Sequence, residues 1–199
     1  MKTYTISKKT AILDWNKIPT VKIDQPCHTG FVDISAEGQL CYDDEALYVR
    51  LSSKEKNIRA EYTGLLDAPC EDSCLEFFFS PIYGDERYFN IEFNPNCCIY
   101  LGIGSSVNDL VRLIPEEGFP FNPKATRSTD GWEITYKVPF SFIRQFFPDF
   151  SPVSGNKMKA NFYKCGDLTV QEHYFSWNKI TGDVISFHRP CDFGLLTFE

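Results

Sequence analysis

Apolar and polar residues alternate with period two along most of the chain, the pattern of half-buried strands. Ala46-Leu47-Tyr48-Val49-Arg50-Leu51-Ser52 turns Leu47, Val49 and Leu51 to one side. Asp43-Asp44-Glu45 before it reads as a turn out of a strand over Gln39–Tyr42, so the two form a predicted hairpin. Ser73–Ser80 places Leu75, Phe77 and Phe79 on one face and Glu76 and Phe78 on the other, and Pro81 ends the run. Arg87–Asn94 sets Phe89, Ile91 and Phe93 against Tyr88, Asn90, Glu92 and Asn94. Further strands are expected over Cys98–Gly104, Gly131–Val138, Lys157–Cys165, Glu172–Ser176 and Gly194–Phe198. One helix is expected over Pro139–Phe147: Pro139 suits a first turn, the pairs Phe142/Phe146 and Ile143/Phe147 recur at i,i+4, and Pro148 stops it. Phe119–Lys124, with Pro120 and Pro123, reads as a loop. About ten strands and one short helix predict an all-β fold, a two-sheet antiparallel β-sandwich. The 199 residues fit one such domain over the whole chain.

Composition narrows the function. Thirty-one of the residues are Phe, Tyr or Trp, so the core is rich in rings. The net charge is −7 and no basic run occurs, which disfavours nucleic acid, whose binding draws on Lys and Arg against phosphate. No segment approaches the roughly 20 apolar residues of a membrane span. The first ten residues have no apolar core of a leader, so a cytoplasmic location is expected. Of the 8 cysteines, Cys41, Cys74 and Cys98 sit inside apolar strands; reduced, structural thiols are the expectation. Cys70-x3-Cys74 lacks a second matching pair, so no metal site is expected.

The candidate chemistry lies on one strand face. Glu76, Tyr88, Asn90, Glu92, Asn94, Asn161 and Tyr163 all fall opposite the Phe-rich side. Such groups suit a neutral, hydroxyl-rich ligand, because amides and carboxylates donate and accept in pairs. An ordinary solvated face remains the second reading of the same pattern.

The order of several short words then resembles a known family. Asp72-Ser73-Cys74-Leu75-Glu76-Phe77-Phe78 is followed by Tyr88-Phe89-Asn90-Ile91-Glu92-Phe93-Asn94, by Trp132-Glu133-Ile134 with Val138-Pro139-Phe140, and by Asn161-Phe162-Tyr163-Lys164. His173-Tyr174-Phe175-Ser176-Trp177, Phe187-His188-Arg189-Pro190 and Phe193-Gly194 complete the series. The succession resembles the family 9 carbohydrate-binding modules, in particular their stand-alone branch. The resemblance implies a jelly-roll sandwich that binds sugars without catalysis, often at the reducing end of a glucan or xylan chain, and often with structural calcium. It also implies a sugar clamped between two Trp rings. Trp177 matches one ring; the position of the other holds Pro69 and Cys70, with Tyr62 the nearest aromatic upstream. The ligand set so implied is Trp177, Asn90, Glu92, Asn94, Tyr88, Glu76, Asn161, Tyr163 and Arg189. One ring stack is worth roughly 1–3 kcal/mol, so binding on the order of millimolar is expected.

Three other readings stay open. Glu76 and Glu92 could face each other as a carboxylate pair for glycoside hydrolysis, but nothing in the sequence marks a raised pKa. A haem or redox module would use Met158 with His173 or His188. A structural or protein-interaction sandwich would have kept the fold and lost the ligand.

Overall fold

The structure is a computed structural model and describes residues 1–9, 12–27, 30–182 and 184–199. Its strands are β1 (Thr3–Lys8), β2 (Thr20–Ile23), β3 (Gln25–Pro26), β4 (Ser35–Tyr42), β5 (Ala46–Lys54), β6 (Cys74–Ser80) and β7 (Tyr88–Phe93). They continue as β8 (Ile99–Gly104), β9 (Val111–Arg112), β10 (Lys124–Arg127), β11 (Gly131–Pro139), β12 (Lys157–Gly166), β13 (His173–Ser176) and β14 (Gly194–Phe198). The helix α1 covers Phe140–Phe146 after Pro139, close to its expected bounds.

The alternation resolves into two sheets. One runs β9-β8-β7-β6-β12-β14-β1, with β13 continuing the edge of β12 beyond β14 and β3 lying beside β13. The other runs β10-β11-β5-β4, with β2 on β4. Strand β1 joins them, pairing with β14 through Thr3–Ile6 and with β4 through Ser7 and Lys8, in parallel both times. These two pairings depart from the purely antiparallel expectation. The strand is six residues long, with Tyr4 and Ile6 buried, and its short alternation gives little signal beside the longer runs.

The space between the sheets is filled as the alternation requires. Phe77, Phe79, Phe89, Ile91, Phe93 and Phe162 meet Leu47, Val49, Leu51, Ile134, Tyr136 and Val138. Rings stack along and between strands, Phe77 on Phe79 of the same strand and on Phe162 of β12, both at centroid distances of 4.9 Å. Met158 lies in this core, fully buried, at the end of β12 beside Leu196. His173 pairs with Gly166 at the other end, roughly 25 Å along the strand. His188 lies on the opposite face of the sheet, against Phe78 and Tyr88. Met158 and these histidines therefore do not converge, and the haem reading is corrected by the topology.

A polar group also spans the sandwich. Lys164 of β12 is fully buried, and its ammonium lies 3.2 Å from the Glu55 carboxylate, which follows β5. It also donates to the Cys165 carbonyl at 2.9 Å and lies 2.8 Å from His173 Nε2. Glu55 further accepts from Trp132 Nε1 at 2.7 Å and Ser73 Oγ at 2.9 Å. One ion pair thus ties β12 of the first sheet to β5 and β11 of the second. A side chain at Gly166 would press on this network, since a Cβ there would lie 2.5 Å from the His173 ring.

Candidate functional site

The outer face of the first sheet carries the residues that the alternation singled out. Side chains two apart share a face, so Cys74, Glu76 and Phe78 of β6 stand beside Tyr88, Asn90 and Glu92 of β7 and Asn161, Tyr163 and Cys165 of β12. Glu76 pairs in register with Glu92 on one side and with Tyr163 on the other. Cys74 pairs with Cys165.

This face is not open to solvent. Residues 184–193 fold back over it. Phe187 stacks on Tyr163 at 4.1 Å and 10°, and Phe193 meets Tyr88 edge-on at 5.5 Å. His188 Nδ1 lies 2.9 Å from the Tyr88 hydroxyl. The cover leaves a cavity of about 670 Å³, within the range of small-molecule sites. Glu76, Glu92, Phe78 and Cys165 line it from the sheet, Asp167, Glu172 and Tyr174 from the segment entering β13, and Val184–His188 from the cover. Tyr174 and Phe187 stand nearly perpendicular, 6.2 Å apart, and give it two aromatic walls.

Its electrostatics are one-sided. Four carboxylates line the cavity and, among the described residues, no Lys or Arg does. Burial, then the Glu92 charge, pushes Glu76 well above the ordinary carboxylate range. Burial raises Glu92 to about 7, against the Asn90 amide that donates to its Oε1 at 2.9 Å. Burial raises Asp167 as well and holds His188 below the usual imidazole value. No residue pattern signals raised acids here; the cover over the face supplies the desolvation. Between pH 4.5 and 7 the folded chain therefore holds a proton on Glu92 that the unfolded chain releases, so stability falls as pH rises through that window. The ionised form costs up to about 3 kcal/mol. Thermal unfolding of wild type and Glu92→Gln at pH 5 and pH 8 measures it. The variant is expected to gain on wild type at pH 8, and parallel curves would contradict the assignment.

The expected ligand set divides. Glu76 and Glu92 line the cavity. Tyr88, Asn90 and Tyr163 stand behind its lining, holding His188, Glu92 and Phe187 respectively. Asn94 is turned away: its amide donates to Asp72 at 2.7 Å and to the Tyr62 carbonyl at 2.8 Å. Asp72 is fully buried, accepts also from Arg59 and from the Glu61 and Tyr62 backbone, and so organises that loop. Asn161 pins the chain after β13 through Asn178, at 2.9 Å and 2.8 Å. Arg189 pairs with Asp192 at 2.8 Å and lies outside the cavity lining.

Trp177 requires the largest correction. It is only 3 % exposed and belongs to the core between the sheets, edge-on to Phe162 at 5.7 Å. Gly194 packs beneath the ring so closely that a Cβ there would lie 2.4 Å from it. Phe175 and Trp177 sit two apart and face inward, whereas Tyr174 faces the cavity. Cavity-lining residues outside the expected ligand set include Cys70, Asp167, Glu172, Tyr174, Ser186 and Phe187. Tyr174 was within reach, since it alternates with Phe175 along β13.

The structure is thus a β-sandwich that carries a ring-walled, carboxylate-lined cavity of small-ligand size on its outer face. Residues 7–198 match the sequence profile of carbohydrate-binding family 9, and the chain belongs to that family. It is a non-catalytic carbohydrate-binding domain, so Glu76 and Glu92 are not a hydrolytic pair. The chain is similar to a Bacteroides uniformis protein assigned to carbohydrate binding (25 % identity, TM-score 0.81, covering 100 % of this chain and 99 % of that one). It is also similar to a family 9 module from Caldicellulosiruptor kristjanssonii, seen with glucose (15 % identity, TM-score 0.70, covering 100 % and 96 %). The same organism's module with cellotriose gives 15 % identity and a TM-score of 0.72, covering 100 % and 94 %. These two show the shared fold. No curated protein sequence matches the chain significantly. No helix among the described residues is long and apolar enough to cross a membrane.

Calcium, which the family resemblance implies, needs six or more oxygens. Among the described residues the one grouping of three metal-ligating side chains is Cys74, Glu76 and Cys165. Two sulfurs and one carboxylate do not fit calcium.

Proposed function

We propose that the cavity between β6, β7, β12 and residues 184–188 is the sugar site. The observation that carries this is the pairing of ring walls, Tyr174 and Phe187, with buried carboxylates at Glu76 and Glu92 in a space of about 670 Å³. A pyranose ring presents C–H groups to an aromatic wall and hydroxyls at its edge. Tyr174 supplies the wall that Trp177 does not, and Glu76, Glu92, Asp167, Glu172 and Ser186 exchange hydrogen bonds with the hydroxyls, the protonated carboxyls donating as well as accepting. The modules of similar fold from Caldicellulosiruptor kristjanssonii hold glucose and cellotriose, so a glucose unit or a glucan end is the first candidate.

Tyr174→Ala is expected to weaken glucose or cellotriose binding by about 5- to 100-fold, the worth of one stacked ring, with little change in melting temperature. Glucuronate is expected to bind more weakly than glucose, because its carboxylate would enter an acidic lining that carries no Lys or Arg among the described residues. Titration calorimetry of wild type and variant checks both. Unchanged affinity in Tyr174→Ala would move the sugar elsewhere; no heat from any glycan would overturn the reading.

A further inference from the structure

We propose that Cys74, Cys165 and Glu76 form a site for a thiophilic divalent cation of the zinc class at the sheet side of the cavity. The backbone makes this trio. Cys74 and Glu76 are two apart on β6, hence on one face, and Cys165 is the register partner of Cys74 on β12. One ligand atom from each lies within 4.8 Å of the other two, and all three residues are buried. Cys165 Sγ already sits 2.9 Å from Glu76 Oε1. Zinc at about 2.3 Å from sulfur and about 2.1 Å from oxygen holds tetrahedral ligands roughly 3.5–3.8 Å apart, so small side-chain rotations close the shell.

The charges favour an ion. Glu76 is 2 % exposed, pairs in register with Glu92, and has the Cys165 S–H as its hydrogen-bond donor. The nearest ammonium, Lys164, points to the other face of the sheet, where it is 3.2 Å from Glu55. A buried carboxylate without a cation is costly when ionised; a divalent ion supplies the charge, and the two thiol protons and the Glu76 proton leave to solvent. Two sulfurs select zinc-like over calcium-like ions. Three protein ligands leave a fourth position, and Glu76 and Cys165 both line the cavity, so water or a bound molecule would complete the shell. The proposal stands independently of the sugar reading, although both use Glu76.

The test uses the full chain, purified under reductant and stripped with a chelator. Zinc uptake is measured by competition with a colorimetric chelator, and cobalt(II) serves as the spectroscopic probe. One equivalent per chain is expected, with a thiolate-to-cobalt charge-transfer band and intense tetrahedral visible bands. Cys74→Ser and Cys165→Ser each lose the band, whereas Cys191→Ser, at an exposed thiol, keeps it. The wild-type cobalt spectrum decides by itself if a serine variant fails to fold. A wild-type chain without the thiolate band, or with Cys74 and Cys165 joined as a disulfide under reductant, overturns the proposal. So does a band that survives either serine substitution in a folded variant.

Discussion

Replacing Glu55 with alanine is expected to cost about 3–5 kcal/mol of stability, the range for breaking a buried ion pair from one side. The loss arises from what remains. Lys164 would keep its ammonium at 0 % exposure with no anion, and Trp132 Nε1 and Ser73 Oγ would lose their acceptor. Burial is the largest single influence and works against ionised Glu55, but the Lys164 charge and the hydrogen bonds from Ser73, Trp132 and Lys164 together outweigh it, so its pKa lies below the ordinary value. The stabilisation is therefore present above the usual carboxylate range and lost as pH falls through it. The double variant Glu55→Leu/Lys164→Met should recover part of the loss, because no charge is then stranded. Denaturant unfolding of the three proteins checks this; a single-variant cost under about 1 kcal/mol would mean that water reaches Lys164.

Trp177→Ala is the second large effect, about 3–5 kcal/mol for emptying a buried ring site. Its cause is packing, since the indole fills the space between Phe162 and Gly194. The milder Trp177→Phe separates stability from binding. It should fold, melt lower and bind sugar as wild type does. A Trp177→Phe protein with wild-type melting and no sugar binding would return the ring to the ligand site.

The long strands were legible because their alternation repeats over six or more residues with Phe on one side. Strands β1, β2, β3, β9 and β10 were not read, being short or, like β10, largely exposed. The polar face was legible as a set, and Glu76 and Glu92, placed on it by their alternation, line the cavity. Its burial was not, because residues 184–193 carry no periodic pattern that would announce a cover. Trp177 lies in the core rather than on the polar face through a matter of parity. The word His173–Trp177 matches in sequence, but positions 175 and 177 face the core and 174 faces out, a distinction that only the register of β13 on β12 settles. Asn94 and Asn161 show the converse: amides on a ligand-like face are used by the backbone of adjacent loops.

The claim that the cavity takes the sugar is tested most directly by the NMR spectrum of the full chain titrated with cellotriose. The largest shifts are expected at Glu76, Glu92, Asp167, Tyr174 and Ser186–His188, with residues around Trp177 moving little. Shifts confined to another surface, such as the smaller cavity lined by Ser52, Arg127 and Glu133, or no shift at millimolar cellotriose, would contradict it.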